Sequence, residues 1–583
     1  MVGLPPGPLY LLKVAPGLAL PPLATYGALH WLESSDILHL PTWAIVALVA
    51  SAKPAQYIAE LYYHRIRNWV KARKVGARLV PHVEERWPYF GGISIIQQLS
   101  DGFKNGYVGE TIPGWAEKYG NFFELRLLSE SQIWTIEPEH IKAILATQFD
   151  NFEKGTNFTK KFDSFLGTGV FNSDGSMWKF HRSLTRPFFN RERVSDFDIF
   201  NKHSEEALAL AKARLAEGYA LDFQDLVSRF TLDSACQFLF GEQLKCLEAG
   251  IPYPGNADRK DPAQFTEHPS GPVAEAFSVG LNEVTLRSII GEQWALREFW
   301  ADMVKPHREM VDSLIDPMLE KALKERFSNK EKTSHEGETV LSAIIPLTQD
   351  KAVIKDALVN LLVAGRDTTA SCLTFCVYMM AEYPHIAERL RKEILAKVGE
   401  TGRPSYDDIR DMKYLRAFIN EVLRLYPPVP FDIRASINDT VFTSKDGSQP
   451  LFIPRKTQIG YAVWSMHRRK DLWGPDAEEF DPDRWLDERL AKYFTPNPFI
   501  FLPFNAGPRI CLGQQFAYHE ISFFLIRLLQ QFSQFELARD SQPLESLPPA
   551  HWAKCSGTKG REKVWPAGNL TLFVKGGLWV RMK

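Results

Sequence analysis

Cys511 is the residue whose surroundings most clearly indicate chemistry. It lies in the segment F-L-P-F-N-A-G-P-R-I-C-L-G-Q-Q, framed by Phe504, Gly507, Arg509 and Gly513, and it precedes a predicted helix. The amides and dipole at a helix N-terminus stabilise negative charge, and the thiolate is the form in which cysteine binds a metal. The two glycines let the backbone approach a flat ligand closely, and the arginine can pair with an acidic group on it. The pattern therefore predicts a thiolate ligand beside a flat, acidic cofactor.

The stretch A-G-R-D-T-T at residues 364–369 is a second candidate for chemistry. A threonine inside a helix usually donates to the carbonyl four residues earlier, here from Thr368 to Ala364, and alone this bond would be structural. Beside a metal centre that binds dioxygen, a local opening of the helix would make room for dioxygen and water. The Thr368 hydroxyl and the Asp367 carboxylate could then relay protons. We predict a relay of Thr368 and Asp367, with Thr369 as the lesser candidate.

The pattern F-x-x-G-x-R-x-C-x-G around Cys511 resembles, without a departure, the haem-binding signature of the cytochrome P-450 superfamily. The resemblance extends from about Pro88 to the C-terminus and implies haem b, iron protoporphyrin IX, with Cys511 as the axial ligand of the iron. The other residues around the cofactor would be Phe504, Gly507, Arg509 and Gly513. A thiolate ligand pushes electron density onto the iron and favours O–O cleavage. The implied activity is a monooxygenase that inserts one atom of O2 into a C–H bond of a small lipophilic substrate.

Two further arginine motifs resemble propionate ligands of the same family. Trp178 and Arg182 stand four residues apart, which places the indole N–H and the guanidinium on one face of a helix. The family uses such a pair on a haem propionate, and Arg434 in P-F-D-I-R-A resembles another propionate ligand. An amphipathic helix alone explains the spacing about equally well, so these roles depend on the resemblance.

Glu421-x-x-Arg424 and the later F-D-P-D-R-W, which contains Arg484, resemble the family's buried ion-pair network. Alone, an i, i+3 pair is a solvated helix pair that contributes a few tenths of a kcal/mol. With both motifs present, we interpret the three residues as scaffold and not as catalytic groups. The A-G-R-D-T-T stretch likewise resembles the family's oxygen-activation sequence.

The electron source is predicted to be another protein. Gly167-Thr168-Gly169 begins like a dinucleotide fingerprint, but Asn172 stands where the third glycine belongs, and no nicotinamide or flavin site is visible. The resemblance implies a membrane-bound NADPH-cytochrome P-450 reductase that carries FAD and FMN, and cytochrome b5 is a second candidate donor. Lys and Arg together number 69, and Asp and Glu together number 70. The chain therefore has no excess of positive charge that would indicate nucleic-acid binding.

The sequence defines the substrate less precisely than the cofactor. The segments Arg229–Gly241 and Leu166–Gly175 look similar to fungal alkane and fatty-acid hydroxylases, which implies attack near a chain terminus. The candidate pocket residues are apolar: Val170, Phe171, Ala364, Val429 and Phe431. Apolar walls suit terpenoids, steroids and aromatic compounds equally, and no arginine is assignable to a substrate carboxylate. The substrate, the oxidised carbon, the pathway and the oligomeric state stay open.

Two other functions fit the same cofactor. A haem-thiolate isomerase or dehydratase would rearrange a peroxide without external electrons, and an intact Asp367-Thr368 pair disfavours it. A non-catalytic haem-binding membrane protein, a carrier or a sensor, would need no proton relay. NADPH consumption with a reductase, together with product analysis, separates all three.

The elements that hold these residues are predicted to be mainly helical, with a minor β component. Hydrophobic residues make up 45% of the 583 and charged residues 24%, which is ordinary globular composition. The clearest helix runs from about Asp350 to Tyr383, before Pro384, roughly 50 Å at about 1.5 Å per residue. Strands are predicted at 451–453, at 458–463, and in a final hairpin with a tight turn at Gly576-Gly577. One large haem domain at 91–583 would have the cytochrome P-450 fold.

The N-terminal region is predicted to be a membrane anchor at 1–60, with its best span at about 38–57, followed by a basic and proline-containing linker at 61–90. A cleaved signal peptide is the rival reading, disfavoured by early prolines and the lack of a basic start. The basic cluster at 65–78 predicts a cytosolic haem domain on the endoplasmic reticulum membrane. Six sparse cysteines agree with a reducing compartment. Whether one or two segments cross stays open.

Overall fold

The computed structural model describes residues 4–89, 91–127, 130–189, 197–328, 339–348, 350–443 and 447–583. Its architecture is mainly helical with small sheets, as predicted. The helices of the first half are α1 (Pro6–Ser34), α2 (Thr42–Lys74), α3 (Ile93–Asn105), α4 (Thr111–Tyr119), α5 (Pro138–Lys142), α6 (Thr156–Leu166), α7 (Gly175–Thr185), α8 (Asp198–Ala216), α9 (Phe223–Phe240), α10 (Ala263–Thr266) and α11 (Ser270–Ile290). Those of the second half are α12 (Trp294–Arg297), α13 (Lys305–Ser328), α14 (Val340–Ile344), α15 (Lys351–Glu382), α16 (Pro384–Val398), α17 (Tyr406–Asp411), α18 (Lys413–Leu425), α19 (Val463–Met466), α20 (Lys470–Trp473), α21 (Gln514–Gln531) and α22 (Gly557–Arg561).

The strands form small sheets beside this helical body. They are β1 (Arg78–Leu79), β2 (Phe122–Leu127), β3 (Glu130–Thr135), β4 (Phe152–Glu153), β5 (Leu221–Asp222), β6 (Phe431–Ser436), β7 (Thr440–Phe442), β8 (Leu451–Ile453), β9 (Gln458–Ala462), β10 (Phe535–Leu537), β11 (Pro566–Gly568), β12 (Leu572–Val574) and β13 (Trp579–Met582). The sheet orders are β2-β3-β9-β6-β4, β1-β8-β7, β10-β13-β5 and β11-β12.

The predicted final hairpin is wrong, although both of its strands exist. A turn does occur at Gly576 and Gly577, where φ is +73° and +85°. However, β12 pairs with β11, whereas β13 pairs with β10 and β5. A Cβ on Gly577 would lie 2.1 Å from Asp222 Oδ2, so the turn is packed tightly against the start of α9. The chain therefore turns there from one small sheet into another.

Helix α15 is the central element. It begins after Asp350, whose carboxylate caps the amides of Ala352 and Val353, and it ends before Tyr383 and Pro384, close to the predicted bounds. Helices α9, α18 and α21 pack on it. Its first half belongs to one apolar core cluster and its second half, from Ala370 onwards, to another. The A-G-R-D-T-T stretch lies where these two clusters meet.

A buried ion pair fixes the connection between α11 and α13, which contains α12. Arg287, near the end of α11, binds both carboxylate oxygens of Glu298 at 2.7 and 2.6 Å, and both side chains are 1% exposed. The same guanidinium lies 2.7 Å from Asp302 and donates to Ser164 of α6 at 2.9 Å. The connection is therefore tied to α6 by charged hydrogen bonds, which are the stronger kind.

The N-terminal helices α1 and α2 pack against each other and reach the rest of the molecule at two points. The amide of Gly7 donates to the Glu298 carbonyl at 3.3 Å, and Lys71 forms an ion pair with Asp439 at 2.6 Å. Ala72 is buried with Phe452 of β8. Helix α2 runs unbroken through residue 60, where the anchor was predicted to end, and the basic residues up to Lys74 belong to the same helix.

No helix among the described residues is both long enough and apolar enough to cross a membrane. The spanning segment predicted at about 38–57 is therefore not supported. It is divided between the α1–α2 connection and the first half of α2.

Candidate active site

The loop that carries Cys511 is shaped by its glycines. A 3-10 turn at Gly507–Arg509 precedes the cysteine, whose amide donates to the Phe504 carbonyl at 3.0 Å. Gly507 has φ +66°, and a Cβ there would lie 1.8 Å from the Leu145 carbonyl oxygen, so only glycine fits. A Cβ on Gly513 would lie 3.9 Å from the cysteine sulfur. Helix α21 follows at once, as predicted for a cysteine at a helix N-terminus.

Cys511 is an exposed residue of this loop, yet the electrostatic environment of its thiol is mixed. Surrounding protein atoms raise its pKa by desolvation, while the Gly513 amide and the Arg182 guanidinium both lower it. The helix N-terminus therefore does not by itself hold the sulfur as a thiolate, contrary to the sequence-based expectation. A metal ion deprotonates a coordinating thiol, so ligation would supply the missing driving force.

A cluster of cations and carboxylates lies beside the loop. Arg434 pairs with Asp432 at 2.9 Å, and Lys154 reaches the same carboxylate at 2.7 Å. Arg509 pairs with Asp174 at 2.5 Å. Desolvation raises the pKa of Asp432, but the adjacent Arg434 and Lys154 lower it far more, so this carboxylate stays ionised. Burial and the neighbouring Arg434 together lower the pKa of Lys154 to about 8.

Trp178 and Arg182 join this cluster to the cysteine loop. Trp178 is buried, and the Arg509 guanidinium lies 4.6 Å from the centre of its ring. Arg182 donates to the carbonyl of Ile510, the residue before the cysteine, at 2.9 Å. Both residues of α7 are therefore in contact with the Cys511 loop, which the sequence spacing alone could not establish.

These residues fit a haem with two propionates. Four cations (Arg434, Arg509, Lys154 and Arg182) are grouped with two ion-paired carboxylates (Asp432 and Asp174), which leaves an excess of positive charge for acidic groups. Nε of Arg509 is buried and has no hydrogen-bond partner among the described residues. A free donor and a glycine-shaped loop beside a thiol are the features that an acidic, planar cofactor requires.

In the A-G-R-D-T-T stretch, Thr368 donates its hydroxyl to the Ala364 carbonyl at 2.7 Å, the bond predicted from the sequence. The predicted opening of the helix is not observed, because α15 is α-helical throughout its length. Asp367 is paired with its neighbour Arg366 at 2.8 Å. Burial raises the pKa of Asp367 above its ordinary value, and Arg366 opposes that rise.

Glu421, Arg424 and Arg484 meet in one buried network. Arg424 binds both oxygens of Glu421 at 2.8 and 2.7 Å, and Arg484 approaches the same carboxylate at 3.4 Å. The indole N–H of Trp485 donates to Glu421 at 3.1 Å, and the Asp481 amide donates at 3.0 Å. Despite burial, these donors hold the pKa of Glu421 below its ordinary value. The geometry is that of a scaffold.

The candidate pocket residues are spread over three segments. The Phe171 amide donates to Asn360 of α15 at 3.0 Å, which ties the loop containing Val170 to that helix. Val429 precedes β6 and is 37% exposed. Phe431 packs within the apolar core, its ring centre 5.9 Å from that of Trp134. Contacts that would join Phe431 to the loop at Val170 and Phe171 are not observed within the described part of the chain.

Lys154, Asp432 and Asp174 were not predicted from the sequence. Lys154 and Asp432 are 278 positions apart, and the three come from separate loops and a strand. Each is a single charged residue in an ordinary context. The local signals are two glycines with positive φ: Gly155, at +80°, follows Lys154, and Gly175, at +57°, follows Asp174.

Comparison with known proteins agrees with this site. A family model described as Cytochrome P450 matches residues 81–554. The cytochrome P450 monooxygenase himC of Aspergillus japonicus is 34% identical over 514 residues, 87% of this chain and 83% of the relative. Cytochrome P450 52A12 of Debaryomyces hansenii is 38% identical over 72% of this chain and 80% of its own length. Cytochrome P450 52A3-A of Candida maltosa is 35% identical over 70% and 77%. The chain belongs to the cytochrome P450 family of haem monooxygenases.

Proposed function

We propose that this chain hydroxylates lipophilic molecules with long alkyl chains, alkanes or fatty acids, at or near the chain end. One oxygen atom of O2 enters a C–H bond, the other leaves as water, and NADPH supplies two electrons through a separate reductase. The balance is RH + O2 + NADPH + H+ to ROH + H2O + NADP+. The observation that carries the proposed oxygen chemistry is the Cys511 thiol in its glycine-shaped loop beside an excess of cations.

The roles of the residues follow from their chemistry. Cys511 would bind the haem iron, and thiolate-ligated haem supplies the oxygen-activating chemistry. Arg434, Arg509 and Arg182 would hold the propionates through charged hydrogen bonds, with Trp178 as a neutral donor. Phe504, Gly507 and Gly513 would shape the loop. Thr368 and Asp367 would move protons along α15 to the haem side of the helix.

The substrate class is supported by the sequence similarity of Arg229–Gly241 and Leu166–Gly175 to fungal alkane and fatty-acid hydroxylases. Apolar side chains at Val170 and Ala364 agree with such a substrate. Hydroxylation of terpenoids, steroids or aromatic compounds is the alternative, because apolar walls do not distinguish these classes.

The test combines binding and turnover. The holoenzyme, a P450 reductase and NADPH are incubated with hexadecane, palmitate, a steroid and a polycyclic aromatic compound, and the products are identified by mass spectrometry. We expect terminal or subterminal alcohols from the first two at the highest rate per NADPH. Oxidation of the steroid or the aromatic compound alone would overturn the substrate class. Product formation without NADPH would indicate an isomerase instead.

The ligand assignment is tested separately with Cys511→Ala. The red-shifted ferrous-CO absorption band that thiolate ligation produces should disappear in this variant. Cys555→Ala is the matched control, since this cysteine lies outside the signature, after a 3-10 turn at Ala550–Lys554, and should leave the band unchanged. A Cys511→Ala protein that keeps the band would remove Cys511 as the ligand.

We also propose that α1 and α2 attach the chain to the surface of the endoplasmic reticulum membrane, with the haem domain in the cytosol. There a reductase, and cytochrome b5, can reach it. Large apolar side chains stand exposed along both helices: Leu12 (65%), Leu20 (63%), Leu23 (63%), Trp31 (62%) and Trp43 (75%). Three basic residues follow in the last turn of α2: Lys71, Arg73 and Lys74. An apolar face with adjacent basic groups is typical of a segment that lies on anionic lipid.

Fractionation of microsomes tests this attachment. Leu12→Asp, Leu20→Asp and Leu23→Asp together should move the protein towards the soluble fraction with an intact haem spectrum. Aspartates at exposed polar positions, Ser34 and Ser51, are the matched control. Protease added to intact microsomes should digest the haem domain, and protection until detergent is added would contradict a cytosolic position.

A further inference from the structure

Arg366 is a largely buried cation with few polar partners among the described residues. Its guanidinium pairs with the next residue, Asp367, at 2.8 Å, and the two side chains are 11% and 13% exposed. Consecutive residues on a helix do not face each other, so the arginine must fold along α15 to make this contact. Its Nε is buried and has no hydrogen-bond partner among the described residues. Such an orphaned donor is rare in a folded protein and calls for an explanation.

The guanidinium of Arg366 also approaches an aromatic side chain of α11. Its carbon lies 5.6 Å from the ring centre of Phe277 on α11, within the range of a cation–π contact. Phe277 is fully buried and meets Phe165 of α6 edge to face at 6.1 Å. Arg366 therefore connects the carboxylate on α15 to an aromatic pair formed by α6 and α11.

The charge on Asp367 depends on this one neighbour. Burial raises the pKa of the carboxyl, and among the described residues Arg366 is the single charged group that opposes the rise. No charged group of α9 or α11 among the described residues contributes to this shift, and the recorded neighbours of the adjoining residues are apolar: Phe277 of α11 beside Arg366, and Ala235 of α9, 3.4 Å from where a Cβ on Gly365 would lie. On α21 the titratable Glu520 interacts with Thr369 instead, and burial raises its pKa to about 8.

We propose that Arg366 is a positioning residue for proton delivery, which orients the Asp367 carboxyl and sets its charge, and that Phe277 holds Arg366 in place for this task. The inference rests on the proposed function. Asp367 takes a proton from solvent and passes it through a water molecule to Thr368 Oγ1, and Thr368 releases its own hydroxyl proton towards the haem side of α15. One proton moves, both side chains return to their starting states, and no electron is transferred in the step.

The experiment compares Arg366→Leu with Arg366→Lys in the holoenzyme, with reductase and NADPH. Product per NADPH is measured from pH 6 to pH 9, and the ferrous-CO band normalises haem content. Loss of the cation removes the lowering effect on Asp367, so in Arg366→Leu the pH profile should move up by about one unit and coupling should fall several-fold. Arg366→Lys keeps the charge and should stay near the wild-type profile. An unchanged profile and coupling in Arg366→Leu would overturn the proposal.

Three further measurements separate this role from a purely structural one. Turnover driven by an added hydroperoxide, which brings its oxygen already reduced and protonated, should be equal in Arg366→Leu and wild type, and an equal loss on both routes would overturn the proposal. The profile shift must persist in a Glu520→Gln background, because that residue titrates in the same range.

If Arg366→Leu binds no haem, Phe277→Leu carries the test. It should lower coupling at normal haem content, and wild-type coupling would overturn the proposal. Absence of any product from wild type would instead count against the proposed function.

Discussion

At the residue scale, Thr368 allows a sharp test because its hydroxyl has one described partner, the Ala364 carbonyl at 2.7 Å. Thr368→Ala removes this hydroxyl and leaves an intact helix, so haem binding should be nearly unchanged. If the hydroxyl moves protons, product per NADPH should fall at least several-fold, and hydrogen peroxide should rise in proportion, since general acids commonly contribute about 10²–10⁴-fold. Both products are measured against NADPH consumed.

The same helix provides the matched control. Thr374 makes an identical bond to the Ala370 carbonyl at 2.7 Å and is fully buried. Thr374→Ala should therefore leave coupling at the wild-type value. Equal coupling in the two variants would remove Thr368 from the mechanism.

Single residues were predictable where one segment carries the whole signal. Cys511 and its framing residues lie within ten positions, so their types and spacing were enough to predict a ligand loop. The partners of Arg434 and Arg509 were not predictable, because Lys154, Asp432 and Asp174 are brought together only by tertiary packing. The environment of the Cys511 thiol was also misjudged, since desolvation depends on neighbours that the motif does not contain.

At the scale of elements, the Glu421 network ties α18 to the segment at 481–485. Glu421→Ala leaves Arg424, fully buried, without its charged partner. Breaking a buried pair in this way costs about 3–5 kcal/mol, so we expect little haem-loaded protein and a markedly lower Tm. The control is Glu388→Ala on α16, which removes an exposed pair with Lys392 and should change the Tm little. A soluble, haem-replete Glu421→Ala protein with a normal Tm would contradict the scaffold role.

Glu562 makes the stability of a second junction depend on pH. It accepts hydrogen bonds from Tyr107, Tyr378 and Tyr426 at 2.9 to 3.0 Å, joining the C-terminal segment to α15 and to the end of α18. Burial raises its pKa from 4.5 to about 7. Between these pH values the folded protein binds more protons than the unfolded chain, so this contribution is full below pH 4.5 and is lost as the pH rises through about 7.

Glu562→Gln removes that proton linkage and keeps a hydrogen-bonding side chain. As the pH rises from 4.5 to about 7, the free energy of unfolding of wild type should fall by about 3 kcal/mol more than that of the variant. The Tm of both proteins is recorded from pH 4.5 to pH 8. Parallel curves would show that the Glu562 pKa is not raised.

The elements themselves were predictable to differing degrees. The ends of α15 followed from the capping residue Asp350 and from Pro384, which act locally. Strand pairing depends on which distant backbone is available. For this reason the turn at Gly576-Gly577 was found, whereas the partners of its two strands were not. The expected opening of the helix at Thr368 is also absent from this described helix. It makes its regular backbone hydrogen bonds in addition to the hydrogen bond from the Thr368 hydroxyl.

At the scale of the whole molecule, composition and motif order were enough to predict a large helical domain with small sheets. The N-terminal boundary was not predictable, because the drop in hydropathy near residue 60 does not coincide with a structural end. Helix α2 continues to Lys74, and the chain then adds a strand, β1, to the sheet of β8. A change in composition reports the surroundings of a segment and not where its helix stops.

The different exposures of the six cysteines allow the fraction of haem-free molecules to be measured by thiol labelling. Cys236, Cys246, Cys372 and Cys376 are buried in the helical body, whereas Cys511 is exposed and Cys555 is partly exposed. A bulky maleimide under native conditions should therefore label two sites on haem-free protein and one, Cys555, where haem covers Cys511. In Cys555→Ser a single reporter remains, and the number of labels per chain, read by intact mass, becomes the fraction of molecules without cofactor. Equal labelling of haem-free and haem-loaded Cys555→Ser would mean that the sulfur of Cys511 is not at the iron.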